Sequence, residues 1–472
     1  MLEGLEVIEL LMSDVRRENL KLRLDSGYFS KPMLIADSIA RGYPKGHDEL
    51  GALFSRFVKG IFDINADSYV DDGIPFLRIL NLRQGVIDES NIAFIPEIIH
   101  QDEIKTELRL GDIVLSKTAY PAASLVTLER CNTSQDTIAT TLSTYGASNY
   151  RAEAIVAYLN SGIGQKLLWR QFQGNVQLHL SLDDGRKVPI PRFSTDLQTK
   201  IVSFFQQSDR ARQAAIQQLK NAETNLLRAL GLENWQAPEP LSYIHNSGDV
   251  FAAGRLDAEF FTPRVRHLLD CLGLDGLTIV DVAPPRHERF SPKESGSFHY
   301  IEIGNIQTDG AANAEIVPHR EAPSRATQKV RAGDVITSTV RPIRRLTALI
   351  APEEDGYVCS SGFVVLQPHQ IMSEVLLIYL RLKPICELMD LHTSASLYPA
   401  ISENDLVSLP IPSITAQVQR DIKTSVSAAR QAKQRATQLL DIAKRAVEIA
   451  IEDSETAALA YCNDALSQYT VP

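Results

Sequence analysis

Val188-Pro-Ile-Pro191 returns 221 residues later as Leu409-Pro-Ile-Pro412, and the sequence behind each copy stays in register. After the first copy, apolar or small residues fall at Leu197, Ile201, Phe205, Ser208, Ala211, Ala215, Leu219, Ala222, Leu226 and Ala229. After the second, the same offset gives Val418, Ile422, Val426, Ala429, Ala432, Ala436, Leu440, Ala443, Val447 and Ala450. Spacings of three and four sustained for this long predict a coiled-coil seam rather than an ordinary surface helix. Each helix covers 33 residues from first to last seam position. At about 1.5 Å per residue it is roughly 50 Å long. Two such helices in one chain can pair with each other.

Working outward, the 472 residues exceed what one core usually serves, and the repeat divides them into two similar halves. With 44% hydrophobic and 22% charged residues, the composition is that of a globular protein. No window approaches the ~18 apolar residues of a membrane helix. The start, Met1-Leu-Glu-Gly-Leu-Glu6, is acidic where a secretory signal is basic. A cytoplasmic protein with no membrane partner is therefore expected. The five cysteines include no Cys-x-x-Cys pair, which predicts reduced packing thiols rather than disulfides or a zinc ribbon. A net charge of −10 argues against a protein that coats nucleic acid indiscriminately, while leaving room for a local basic face.

The repeat reaches well in front of the helices. Arg23-Leu-Asp-Ser-Gly-Tyr-Phe-Ser30 recurs as Arg255-Leu-Asp-Ala-Glu-Phe-Phe-Thr262, and Phe76-Leu-Arg-Ile-Leu-Asn81 as Tyr300-Ile-Glu-Ile-Gly-Asn305. Leu110-Gly-Asp-Ile-Val-Leu-Ser116 recurs as Ala332-Gly-Asp-Val-Ile-Thr-Ser338, a turn feeding a β-branched strand. Residues 152–168 and 373–389 read as helices. The divisions are an N-terminal helical segment (1–22), a mixed α+β domain (23–195), a long helix (196–232) and a linker (233–254). A second α+β domain (255–413), a second long helix (414–455) and a tail (456–472) follow, the tail expected to be mobile.

No phosphate loop, dinucleotide fingerprint, His-Glu-x-x-His or Gly-x-Ser-x-Gly is present. Asp281-Val-Ala-Pro-Pro-Arg286 has the paired prolines of an amino-methyltransferase loop but lacks its amide and aromatic, so a rigid turn is expected. Asp183, Asp184 and Lys187 read as a helix or turn start with solvated charge, and the ten histidines form no ligand pair.

What remains is recognition. A mixed globule presented twice with a long helix pair suits a caliper for duplex DNA, whose helical turn is about 34–36 Å. Candidate contacts come from loops mixing basic, amide and aromatic groups. In the first half these are Lys117, Thr118, Tyr120, Gln173, Asn175, Gln177 and His179. In the second they are Arg341, Arg344, Arg345, Ser394, Ser396 and Tyr398. Arg suits guanine and Asn or Gln suits adenine, while Lys and Ser hold phosphates. No residue is expected to be catalytic or to bind a metal.

The repeated order resembles the specificity subunits of Type I restriction-modification systems over nearly the whole chain. The residues carrying it are Gly174, Leu180, Ser181, Val188-Pro-Ile-Pro191 and Gln198, then Ala395, Ile401, Ser402, Leu409-Pro-Ile-Pro412 and Gln419, together with the Gly-Asp strands. Ala395 stands where the family often has glycine, and Leu197 and Val418 replace a frequent acidic residue. The resemblance implies two target recognition domains joined by two long antiparallel helices, a pseudo-twofold α+β architecture. It implies a non-catalytic subunit reading a bipartite asymmetric site in double-stranded DNA, one half-site per domain. Two modification subunits, S-adenosylmethionine-dependent adenine methyltransferases, dock on the helices, and motor and nuclease subunits can join. No cofactor is expected on this chain itself. The competing expectation is a non-enzymatic coiled-coil scaffold whose globules bind protein ligands.

Overall fold

The structure, a computed structural model, describes residues 9–18, 23–174, 178–236, 239–394 and 399–469. The chain divides into two compact units, Met1–Ala211 with Gln434–Pro472, and Arg212–Lys433. Two long helices, Thr195–Ala229 and Ala416–Glu452, each give one stretch to each unit.

In the first unit, a five-stranded sheet runs in the order Phe54–Lys59, Thr137–Leu142, Ile113–Ser116, Ala123–Leu125, Gly85–Val86. A four-stranded sheet has the order Ala93–Ile95, Ile74–Leu77, Arg130–Thr133, Leu108–Arg109, with Phe76 beside Asn132 in a parallel pair. The second unit repeats the four-stranded sheet as Glu315–Pro318, Ser297–Ile301, Val358–Ser360, Ala326–Lys329, again with one parallel pair, Tyr300 beside Val358. Its other sheet keeps only Thr347–Leu349, Val335–Ser338 and Phe363–Leu366. Pro284-Pro285 accounts for one of the two missing strands. Proline cannot donate to a ladder, and Pro285 makes only an isolated bridge to Leu366 at the position of the first unit's outer strand. The paired prolines therefore lie in an extended segment rather than in the rigid turn expected from the sequence, and Asp281 caps the short helix before them by accepting from Thr278.

The Pro-Ile-Pro segments are hooks. Pro189–Pro191 pairs antiparallel with His47–Glu49, and the buried Tyr158 donates its hydroxyl to the Pro189 carbonyl at 2.8 Å. In the second unit Tyr379 donates to the Pro410 carbonyl, at the same 221-residue offset. The glutamine opening each long helix completes the joint. Gln198 accepts from the Arg151 amide and donates to the Asn149 and Phe193 carbonyls. Gln419 accepts from the Met372 amide and donates to the Ile414 carbonyl. Arg23 and Arg255 cap helix ends, donating to Arg170, Gln171 and Phe172 carbonyls in one unit and Leu391 in the other, each steadied by an aspartate two residues on. The repeated residues are thus those that lock domain to helix.

Within each unit the helix stretches pair in opposite directions. In the first, Ile201, Phe204 and Phe205 share a core with Leu439, Ala443 and Val447, and buried Ser208 donates to the Ala436 carbonyl at 2.9 Å. In the second, Ala222 and Leu226 share a core with Ile422 and Val426. The small residues Ala429, Ala436, Ala443 and Ala450 are all buried, which permits close backbone approach.

Several expectations need correction. The segments 152–168 and 373–389 are each two helices, Ala152–Leu159 with Gly162–Gln171, and Ser373–Tyr379 with Lys383–Leu391. Ser161 caps the second helix of the first pair, and a Cβ on Gly164 would lie 1.9 Å from the Tyr158 carbonyl oxygen, so the chain turns sharply there. Pro384 marks the restart in the other unit. The seam ends before Ala229, which is exposed, and Leu230 is buried instead. The linker holds a helix, Ser247–Ala253, closed by Gly254 at φ 62°, just as Met12–Glu18 precedes Arg23. The tail is not loose: Glu455–Tyr469 is a helix that buries Ala458, Cys462 and Ala465 in the first unit's core. Glu455 receives hydrogen bonds from Tyr43, Lys45 and the Ser194 amide. All five cysteines are free, and four of them are buried.

Candidate nucleic-acid interface

In the first unit the strand Ile113–Ser116 is wholly buried, and it delivers a tight loop to the sheet's end. The Ser116 hydroxyl donates to the Tyr120 carbonyl at 2.5 Å and accepts from the Ala122 amide, with Ala119 held at φ 64°. The Lys117 carbonyl accepts from the Leu180 amide at 2.8 Å, and Thr118 bridges to His179. Loop 117–120 and the short hairpin Phe172–Gln173 with His179–Leu180 are therefore one assembly. The second unit builds the same joint: the Thr339 carbonyl accepts from Ile401, Val340 bridges to Ala400, and Arg341 sits at φ 49° where the first unit has Ala119.

The expected contacts separate on this frame. Tyr120 and His179 are exposed, with the Tyr120 hydroxyl reaching the Ile79 carbonyl at 3.3 Å. Thr118 is buried to 3% exposure, so its side chain is part of the joint rather than of a surface. Gln173 donates to the Asp184 carboxylate at 2.9 Å, which engages its amide internally. Asp184 is itself buried at the start of a helix capped by Ser181, whereas Asp183 beside it is exposed, so the expected helix start is present and the expected solvated charge holds for Asp183 but not for Asp184. Asn175 and Gln177 lie outside the described residues.

In the second unit Arg344 is exposed on a short turn, Pro342–Arg344, flanked by left-handed Arg341 and Arg345. The Arg341 amide donates to the Pro399 carbonyl at 2.9 Å. Arg345 points inward along the unit, pairing with Glu223 of the long helix at 3.0 Å, while its carbonyl accepts from Arg381. It braces the turn against the helix. Ser394 belongs to the two-stranded ladder Thr393–Ser394 with Ala400–Ile401, and Ser396 and Tyr398 lie outside the described residues.

Two residues absent from the sequence reading join the first site. Lys59 ends the outer strand and lies over the ring of Phe62 at 4.4 Å, and Phe62 is 68% exposed. Burial, then the charge of Lys59, hold Lys117 below the usual lysine range against the opposing pull of Asp136. The signal was a Lys-Gly-x-aromatic run at the end of an alternating strand, but 58 residues separate Lys59 from Lys117. Only the sheet order brings them together. Burial, with the nearby Arg255 charge, lowers the His392 imidazole in the second unit, favouring its neutral form.

Cations and an exposed aromatic on loops anchored by a buried sheet suit recognition of an anionic, grooved ligand. Among the described residues no cluster of three or more His, Cys, Asp or Glu side chains is placed to hold a metal ion. No described helix is long and apolar enough to cross a membrane.

No family model matches the chain, and no curated protein matches it. Among solved structures it is similar to the S subunit of a Type I restriction-modification system from M. genitalium, at 12% identity and a TM-score of 0.37, over 88% of this chain and 95% of that one. It is similar to the HsdS subunit from Thermoanaerobacter tengcongensis at 15% identity and a TM-score of 0.25, over 90% and 97%. A third similar chain belongs to a structure described as the basis of complex assembly and conformational transition of the Type I R-M system, at 16% identity and a TM-score of 0.25, over 89% and 96%.

Proposed function

We propose that this chain is the DNA-binding specificity subunit of a Type I restriction-modification complex, reading a bipartite asymmetric site with one half-site per domain. The observation that supports this most directly is the doubled joint. The residues that fasten each domain to a long helix recur in kind, Tyr158 and Gln198 against Tyr379 and Gln419. The loops those joints present differ, Lys117-Thr-Ala-Tyr120 against Thr339-Val-Arg-Pro342. Constant fastening with divergent loops is what one chain needs to read two different sequences.

The chain supplies position and sequence choice, and the chemistry belongs to its partners. Two S-adenosylmethionine-dependent adenine methyltransferase subunits dock on the helices, and motor and nuclease subunits join them for restriction. The complex acts in the cytoplasm, on genomic and invading DNA. Replacing residues 255–413 with the matching domain of a relative tests the reading. Methylation should change in one half of the recognised site and stay unaltered in the other. A change in both halves, or in neither, would count against modular reading.

A further inference from the structure

The first unit carries two lysines that the fold places together with no ion pair to either among the described residues. Strand Phe54–Lys59 pairs with Thr137–Leu142, setting Lys59 opposite Ile138, and the Gly60 amide donates to the Thr137 carbonyl at 3.2 Å. From the other side of that strand, the Lys117 amide donates to the Asp136 carbonyl at 2.8 Å. Residues 59 and 117 therefore flank the same short turn. Among the described residues neither ammonium makes a salt bridge, and burial, then the charge of Lys59, lower Lys117 against the opposing pull of the Asp136 carboxylate. Two like charges facing a single carboxylate keep an excess of positive charge that a further anion relieves. On a chain of net charge −10, such a spot stands out from its background. Beside it, Phe62 exposes 68% of its surface while its ring carries the Lys59 ammonium. His179, exposed, reaches the same end of the sheet through the Thr118 bridge.

We propose, building on the DNA reading above, that Lys59 and Lys117 together clamp one phosphate of the duplex and that Phe62 lays its ring against the neighbouring base edge. The ring holds the Lys59 ammonium in place, so little side-chain freedom is lost when the phosphate arrives. The clamp belongs to the first half-site alone. Thr339 occupies the place of Lys117 in the second unit, making the same backbone bond with no charge to offer.

The test is binding of the full chain, across salt concentrations, to duplexes that the unaltered chain selects from a random pool. Because the two lysines share one phosphate, Lys59→Gln with Lys117→Gln should lower the slope of log affinity against log salt by about 0.9, and either single change should remove most of that. The advantage of the unaltered chain over the double variant then shrinks about 3.5-fold between roughly 50 and 200 mM salt. Lys59→Arg should restore the slope. Phe62→Ala should weaken binding several-fold at every salt concentration and leave the slope alone. Circular dichroism should show all five variants folded, since Lys59 and Lys117 are partly exposed and Phe62 is open. An unchanged slope in the folded double variant overturns the clamp and leaves the DNA reading standing. An unaltered chain that selects no duplex overturns both.

Discussion

Replacing Gln198 by alanine should loosen the joint between the first domain and its helix, and the structure sets the size of the effect. Gln198 is 4% exposed and satisfies three backbone groups at once: the Arg151 amide at 2.6 Å, the Asn149 carbonyl at 3.0 Å and the Phe193 carbonyl at 2.9 Å. A hydrogen bond contributes about 1 kcal/mol net, and a group left buried without a partner costs about 1–3 kcal/mol. Asn149 and Arg151 are exposed residues whose backbone can recover water, whereas Phe193 is buried. The expected loss is about 2–3 kcal/mol. Gln419 makes only two such bonds, so Gln419→Ala should cost about 1–2 kcal/mol. A chain of two units need not unfold in one step, so amide hydrogen exchange is the better readout. Arg151, the residue preceding helix Ala152–Leu159, should lose protection in Gln198→Ala, and Met372 in Gln419→Ala. Losses below about 0.5 kcal/mol in both variants, with both amides still protected, would refute the view that these glutamines hold the joints.

Four further outcomes follow from the geometry. Arg344→Ala should lower the salt slope of DNA binding by about 0.9, because Arg344 is exposed and makes no ion pair among the described residues. Arg345→Ala should leave that slope unchanged and cost about 1 kcal/mol of stability or less, since its pair with Glu223 is over a third exposed. Arg192, then hydrogen bonds from Tyr150 and Tyr145, hold the Asp48 carboxyl at about 2, below its ordinary 3.8. A depressed carboxylate stabilises the fold above its unfolded pKa and loses that contribution as pH falls through the folded one. The stability gap between the unaltered chain and Asp48→Asn, read by urea unfolding, should therefore be full above pH 3.8 and fade toward pH 2. Deleting residues 455–469 should lower the melting temperature of the chain, because it uncovers the core around Ala458 and Cys462 and removes Glu455 from Tyr43, Lys45 and Ser194.

The doubled architecture was legible because its fastening residues repeat at nearly constant spacing: Tyr158 and Tyr379, Gln198 and Gln419, Arg23 and Arg255. The long helices were legible for the same reason, their small and apolar positions following one period over about nine turns. What escaped was set by long-range geometry or weak local signal. The tail helix buries alanine and cysteine, a stripe too small to register as an apolar face. The break at Gly164 comes from a backbone contact that no periodicity records. Gln173 and Arg345 looked available because their partners, Asp184 and Glu223, are fixed only by the folded chain. Lys59 reaches Lys117 through the sheet order, not through sequence proximity, and Phe62 joins through its contact with Lys59.

The central claim is that this chain chooses where a partner methyltransferase acts. The most direct measurement is a map of methylated adenines in the genome of the source cell, with and without the gene for this chain. One bipartite motif, two unequal half-sites around a fixed unspecified spacer, should lose methylation when the gene is removed and regain it on complementation. Identical maps in the two strains would contradict the account.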